Sequence, residues 1–259
     1  YNIVDQIFIG QSVGYLGNAA TNVSFGLVVL ASAFAVFIGD GTAAYYSLML
    51  GAGKKEKASL GVGNCFTLLG LFSILFVAIG FIFITPLLKL FGATPDVMSY
   101  ALTYTRIVLI GFPAAILGTG MNSLIRADGS PNFAMATMLL GAIMNIILDP
   151  IFIFKFNMGV KGAAIATIIG QYASLILAAY YTTRFKNIEF KISNLKPDKF
   201  TSLKLCSLGA SSFFTQISFV VVMAVINQLL VIYGAKSVYG SEIPLAALGI
   251  VMKVNQILT

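Results

Sequence analysis

The chain has 259 residues, of which 58% are hydrophobic and only 10% are charged, and its mean hydropathy is +0.93. A soluble domain carries about 25% charged residues, so this composition excludes an ordinary soluble protein and predicts an all-α, polytopic transmembrane protein. Histidine is absent and cysteine occurs only at Cys65 and Cys206, so we expect no haem, zinc, iron–sulfur or other cofactor.

Apolar stretches of about 20 residues, the length that a spanning helix needs, predict six helices followed by the first helices of a second set. In chain order the predicted spans are Tyr1–Gly10, Asn22–Leu50, Leu60–Leu88, Val97–Leu117, Phe133–Phe154, Gly162–Tyr181, Leu203–Tyr233 and Leu245–Thr259. We therefore predict an N-lobe over residues 1–185, a linker over 186–202 and the start of a C-lobe over 203–259. Because the chain begins and ends inside apolar patterns, we expect a fragment of a longer protein.

Lysine and arginine are distributed unequally between the two sets of loops. One side carries ten, namely Lys54, Lys55, Lys57, Arg126, Arg184, Lys186, Lys191, Lys196, Lys199 and Lys204. The other side carries four, namely Lys89, Lys155, Lys161 and Lys236. The richer side is predicted to be cytoplasmic, with the linker lying solvated at the headgroups of the cell membrane. This bias explains the net charge of +7 without a nucleic-acid partner, and we expect a monomer.

Asp149 is the only charged residue in the span Phe133–Phe154. Burying a carboxylate in hydrocarbon costs several kcal/mol unless it is paired, hydrated or protonated. Asn145 lies four residues earlier and therefore on the same helix face. Pro150 has no N–H, so the carbonyl of Ile146 lacks its helical partner. This segment predicts a functional site.

Counting residues from the turn after this span assigns depths to the polar side chains. Asp149 and Thr167 lie nine residues from Met158 on either side, and Asn145 and Gln171 lie thirteen. Asp5 falls at a similar depth, because the first span also runs outward. The candidate site is therefore a layer in the outer half of the membrane. It comprises Asp5, Asn145, Asp149 and Thr167, with Gln171 and Asp40 as secondary candidates.

Three kinds of chemistry fit this layer. If Asp5 and Asp149 share a pocket, burial and mutual repulsion favour uptake of a proton. Alternatively, the oxygens of Asp5, Asn145, Asp149 and Thr167 hold a cation such as Na⁺. The third reading is a hydrogen-bond network that only fixes helix packing, and Thr167 could simply bond its own helix. Ionisable groups inside a membrane are functional by default, whereas Asp40, near the cytoplasmic end of its span, fits a structural or solvated role.

A faint internal repeat connects the two ends of the chain. Residues 3–7, Ile-Val-Asp-Gln-Ile, resemble residues 225–229, Val-Ile-Asn-Gln-Leu. Each run precedes a glycine-containing loop and an alanine-rich helix start. Together with the long linker, this indicates two six-helix halves in parallel orientation.

Four sequence motifs stand out along the chain, namely Gly39–Ser47 with Gly51–Ala58, Arg126–Pro131, Asn145-x-x-x-Asp149-Pro150 and Gly159–Ala164. Together they resemble motifs of the MATE (multidrug and toxic compound extrusion) family, in the multidrug/oligosaccharidyl-lipid/polysaccharide flippase superfamily. The resemblance implies twelve helices in two lobes around a cleft, of which this chain covers the N-lobe and the start of the C-lobe. It also implies that Asp5, Asn145, Asp149 and Thr167 form the N-lobe cation site.

The resemblance implies an antiporter, not an enzyme, that exports amphipathic, often cationic compounds in exchange for H⁺ or Na⁺. The alternative in the same superfamily is a flippase for a lipid-linked oligosaccharide, whose cleft would carry arginines that the predicted helices almost lack. An intramembrane enzyme with Asp5 and Asp149 as a catalytic dyad is less favoured, because no nucleophile, metal ligand or hydrolytic motif accompanies the pair.

Overall fold

The computed structural model describes residues 2–258, with side chains over residues 4–252, and these residues form helices and connecting turns without a strand. The helices are α1 (Asn2–Val13), α2 (Tyr15–Gly51), α3 (Lys55–Ile82), α4 (Ile84–Leu90), α5 (Pro95–Ala127), α6 (Pro131–Pro150), α7 (Val160–Tyr181), α8 (Lys199–Gly234) and α9 (Glu242–Leu258). A π-helical segment, Ile151–Lys155, extends α6, and two 3-10 turns, Thr182–Arg184 and Ile192–Leu195, lie between α7 and α8. The outermost residues of the first and last predicted spans, Tyr1 and Thr259, lie outside the described residues.

Six of the described helices are long and apolar enough to cross a membrane, namely α2, α3, α5, α6 with its π-helical extension, α7 and α8. The predicted all-α, multi-pass membrane architecture is confirmed. Many large apolar side chains are exposed, including Leu71, Ile74, Ile82, Met138, Ile176 and Phe214. Polar residues, by contrast, are buried between the helices, which is the arrangement expected of a protein whose surface faces lipid.

The helices α1 and α2 form a hairpin that reverses at a single residue, Gly14, whose φ of 81° favours glycine. Consequently α2 begins at Tyr15 rather than at the predicted Asn22. The predicted start is too late because polar residues between Tyr15 and Asn22 interrupt the apolar pattern. Asn18 and Thr21 are nevertheless buried in the structure.

Proline splits the third predicted span into α3 and α4 at Phe83. Pro86 has no N–H for the carbonyl four residues earlier, so the helix is interrupted there.

The helix α8 begins at Lys199, four residues before the predicted Leu203. Asp198 caps it, because its Oδ2 accepts the backbone N–H of Thr201 at 2.7 Å. Hydrogen bonds from the hydroxyl and the N–H of Thr201 hold the pKa of Asp198 below its usual value.

The linker between α7 and α8 is docked on α3 rather than lying free at the headgroups. The Ser59 hydroxyl donates to the carbonyl of Glu189 at 2.8 Å and accepts the Asn194 amide at 2.7 Å. Deeper in the helix, the Thr67 hydroxyl donates to the carbonyl of Leu195 at 2.6 Å. The lysine-rich linker therefore presents its backbone to α3 and its charges outward.

Candidate functional site

Two carboxyl side chains meet inside the helical bundle. Asp5 lies on α1 and is 6% exposed, and Asp149 lies in the last turn of α6 and is fully buried. The two side chains are in hydrogen-bonding contact. Because a carboxylate has no proton to donate, this contact is a hydrogen bond only when one of the two groups is protonated. The pair is therefore arranged to take up positive charge.

An amide and a hydroxyl complete this group of buried side chains. Asn145 Nδ2 donates to Asp149 Oδ1 and to Thr167 Oγ1, each at 3.4 Å, while the Thr167 hydroxyl donates to the carbonyl of Ala163 at 2.9 Å. Within the described part of the chain, no N–H or hydroxyl donates to Asn145 Oδ1 or Asp149 Oδ2, although both oxygens are buried. Buried acceptors without a donor are rare, and a proton or a cation is a partner that such oxygens could take.

The register between α6 and α7 is shifted by about one turn from the predicted one. Counting from the turn paired Asn145 with Gln171, but the structure places Asn145 against Thr167. The π-helical segment after Pro150, in which the N–H of Phe156 bonds the carbonyl of Ile151 five residues back, contributes to this shift. This wider turn uses more residues for the same rise, so simple counting overestimates depth.

An apolar layer covers the carboxyl pair on the side of the Gly14 turn. Each carboxylate is followed four residues later by a buried isoleucine, Ile9 after Asp5 and Ile153 after Asp149. These isoleucines pack with Val160 and Ala163, and Phe8, Val13 and Tyr104 lie against them. This layer was not predicted from the sequence, although the isoleucine four residues after each of the two aspartates could have indicated it.

The secondary candidates lie in other surroundings. Gln171 turns toward α5, where a Cβ built on Gly111 would lie 2.4 Å from its Oε1. Asp40 accepts the hydroxyl of Ser123 at 2.7 Å, and that hydroxyl also accepts Arg126 at 3.3 Å. At 1.5 Å per residue along α1 and α2, Asp40 lies about 25 Å farther than Asp5 from the Gly14 turn. The structure therefore joins neither to the carboxyl pair.

A third buried carboxylate, Asp128, was not singled out from the sequence as a candidate residue. It follows α5, is fully buried, and accepts hydrogen bonds from the hydroxyls of Tyr46 and Tyr181. It also accepts the backbone N–H of Lys186 at 2.7 Å and the amide of Asn187 at 3.0 Å. Its position between an alanine and a glycine reads as a loop, so only the fold shows that it joins α2, α7 and the linker.

A sequence profile of the MatE family matches residues 1–151, which is more than half of the chain. The chain belongs to the MatE family. The multidrug export protein MepA of Staphylococcus haemolyticus is 27% identical over 243 residues, which cover 90% of this chain and 52% of MepA. The MatE chain thus spans about half the length of the curated relatives that it matches.

Solved transporter structures agree with this assignment. The MATE multidrug transporter DinF-BH, solved as a complex, is 34% identical with a TM-score of 0.88, and the match covers 97% of this chain and 55% of that one. The inward-facing conformation of a multidrug resistance MATE family transporter is 25% identical with a TM-score of 0.90, over 99% and 57% of the two chains.

These matches confirm the family that the motifs indicated. Members of the MatE family are transporters and not enzymes, so the intramembrane enzyme alternative is excluded. Membership and the six apolar helices also make the MatE chain part of a multi-pass protein of the lipid bilayer. The lobe boundaries, the monomeric state, the lack of a cofactor and the lack of a nucleic-acid partner stay predictions.

Proposed function

We propose that the complete protein is an antiporter of the cell membrane that exports amphipathic, often cationic compounds in exchange for H⁺ or Na⁺. In this proposal Asp5, Asn145, Asp149 and Thr167 bind the coupling cation. The observation that carries the proposal is the contact between Asp5 and Asp149 in a buried site. Two carboxylates so placed repel each other unless a positive ion joins them.

The same donor set fits either ion. A proton would be shared between the two carboxyl groups, whereas Na⁺ would also use Asn145 Oδ1, which lacks a donor, and the Thr167 oxygen. In both cases the cation ties α1 to α6, and without it the two negative charges push these helices apart. A ligand that binds one packing better than the other shifts the balance between inward- and outward-facing states, as exchange transport requires.

The relatives support a drug-like substrate. MepA is a multidrug export protein, and DinF-BH is a multidrug transporter. The flippase alternative finds no comparable support here, because the described spans contain only three arginines, Arg106, Arg126 and, at the very end of its span, Arg184. We therefore extend the multidrug substrate class of these relatives to the complete protein.

Export from proteoliposomes under a single ion gradient tests this proposal. The complete protein is reconstituted with ethidium, a fluorescent amphipathic cation, and either a pH gradient or a Na⁺ gradient is imposed alone. We expect export under one of the two gradients. Asp149→Asn should reduce its rate to about a tenth or less, because losing the carboxylate that binds the cation should weaken that binding by more than about 1.4 kcal/mol. The control is Asp96→Asn, an exposed carboxylate at the start of α5.

Two results would contradict the proposal in different ways. A wild-type protein that moves no dye under either gradient would refute ion-coupled export. Normal export by Asp149→Asn, with Asp96→Asn also normal, would leave export in place and remove Asp149 from the coupling site.

A further inference from the structure

A second buried polar contact joins parts of the chain that belong to different predicted lobes. Asn227 of α8 is fully buried and accepts Nδ2 of Asn22, on α2, at 3.3 Å. Its own Nδ2 donates to the carbonyl of Phe91, just after α4, at 2.9 Å. One amide thus holds the first helix of the predicted C-lobe to two segments of the predicted N-lobe.

This contact lies at the outer end of the bundle, as the predicted orientation assigns it. Asn22 is seven residues after the first residue of α2 and Asn227 is seven residues before the last residue of α8. The backbones approach closely here. A Cβ built on Gly92 would lie 3.2 Å from the Cβ of Asn227, and one built on Gly249 would lie 2.9 Å from the Cβ of Asn22. Glycine at both places lets the two amides meet.

The internal repeat gives this amide a particular meaning. Asn227 occupies the position in residues 225–229 that Asp5 occupies in residues 3–7. Where the first half of the chain has a carboxylate, the second half has a neutral side chain that both donates and accepts. A carboxylate at this position would lose the bond to the Phe91 carbonyl, because it has no N–H to donate.

One acceptor in this contact lacks a donor among the described residues, as we expect of a contact that opens and closes. Asn22 Oδ1 is buried and no described group donates to it. A buried amide oxygen without a donor is destabilising, and water would satisfy it once the outer end opened. Opening the outer end breaks the bond between the two amides together with the bonds from Asn227 to Phe91 and from Gln228 to the carbonyls of Lys89 and Leu90. Water can replace each of these partners and also satisfy Asn22 Oδ1, so the two arrangements can differ little in free energy.

We propose that Asn22, Asn227 and the Phe91 carbonyl form a clasp that closes the outer end of the cleft, and that this clasp opens in each transport cycle. The inference rests on the proposed exchange transport, because only alternating access requires the outer end to open. It assigns Asn227 a positioning role between the lobes. It is consistent with the TM-score of 0.90 to a MATE family transporter in an inward-facing conformation.

Reversible cross-linking of the complete transporter tests the clasp. Asn22 and Asn227 are replaced by cysteine after Cys65, Cys206 and any other native cysteines are removed, and a short methanethiosulfonate cross-linker joins them. The matched control joins cysteines at Ser24 and Thr105, whose hydroxyl oxygens lie 2.9 Å apart within the predicted N-lobe. We expect dye export to fall to about a tenth or less on cross-linking the clasp pair, to recover on reduction, and to persist in the cross-linked control.

Equal export by the clasp pair before and after the cross-link is reduced would overturn the proposal, and so would failure of the clasp pair to cross-link while the control pair does. If the cysteine pair does not fold, outside labelling of a single Asn22→Cys protein by an impermeant maleimide replaces this test. Adding Asn227→Ala should raise the labelling rate severalfold, and an unchanged rate would overturn the clasp. A wild-type protein without ion-driven export would refute the proposed function instead, and the labelling rate would then test the clasp, because labelling does not depend on export.

Discussion

Asn145 is the residue on which the geometry of the candidate cation site depends. Its single amide nitrogen bonds both Asp149 and Thr167, so Asn145→Ala removes the link between α6 and α7 at this depth. A hydrogen bond to a charged group contributes about 1.5–3 kcal/mol, so the coupling cation should bind about ten- to a hundredfold more weakly. The measurement is the concentration of driving cation that gives half-maximal dye export from proteoliposomes.

The control for this change is Ser73→Ala, which removes a buried hydroxyl that, within the described part of the chain, bonds only the carbonyl of Gly70 in its own helix. It should leave the half-maximal concentration unchanged. An unchanged value for Asn145→Ala as well would show that the amide packs beside the site without shaping it.

The polar residues of the candidate site were predictable because depth depends on little more than helix rise and the position of a turn. Asp5, Asn145, Asp149 and Thr167 were placed in one layer by that counting, and the structure brings them together. The exact pairing was not predictable, since a π-helical turn leaves no periodic signal in an apolar segment. The contact of Asn22 with Asn227 was equally hidden, because 205 residues separate the two amides.

At the scale of helices and linkers, Asp128 fastens the linker to the lysine-rich end of the bundle. Asp128→Ala would leave the hydroxyls of Tyr46 and Tyr181 and the N–H of Lys186 without their acceptor. Each buried donor that loses its partner costs about 1–3 kcal/mol, so the thermal midpoint should fall and the linker should detach. Trypsin cleavage after the exposed linker lysines, with the Tm of the purified protein, measures both effects.

Removing a single hydroxyl donor to Asp128 should weaken the attachment of the linker by a smaller amount. Tyr181→Phe removes one of the donors to Asp128 and keeps the ring, so its effect on Tm and on cleavage should be the smaller of the two. Equal cleavage of the linker in wild type and Asp128→Ala would mean that the contacts of Ser59 and Thr67 hold the linker by themselves.

Helix positions followed from apolar length, whereas helix ends did not. The spans were found because about 20 apolar residues are needed to cross the bilayer. Buried polar residues delayed the predicted start of α2, and Pro86 divided a span that reads as continuous in hydropathy. The docking of the linker on α3 was not predictable, because its lysines indicate solvent while its backbone carbonyls make the contacts.

At the scale of the whole molecule, the distribution of charge assigns the two faces of the membrane. The linker and the loops after α2 and α5 lie at one end of the bundle, as the bonds of Ser59 to Glu189 and of Asp128 to Lys186 show. That end carries ten of the lysines and arginines assigned to loops, against four at the other end. This excess predicts that the linker is cytoplasmic and that the carboxyl pair lies in the outer half of the membrane.

Single cysteines at exposed lysines test the orientation without disturbing the core. In a protein that lacks Cys65 and Cys206, Lys191→Cys should react with an impermeant maleimide only in inside-out vesicles, and Lys236→Cys only in right-side-out vesicles. Both side chains are exposed at opposite ends of the bundle, so access to the reagent alone decides the result. The reverse pattern would place the carboxyl pair in the inner half and the Asn22–Asn227 contact at the cytoplasmic end. Inward cation entry requires access to the carboxyl pair from outside. The labelling pattern therefore also shows on which side of the membrane the apolar layer around Ile9 and Ile153 shields that pair.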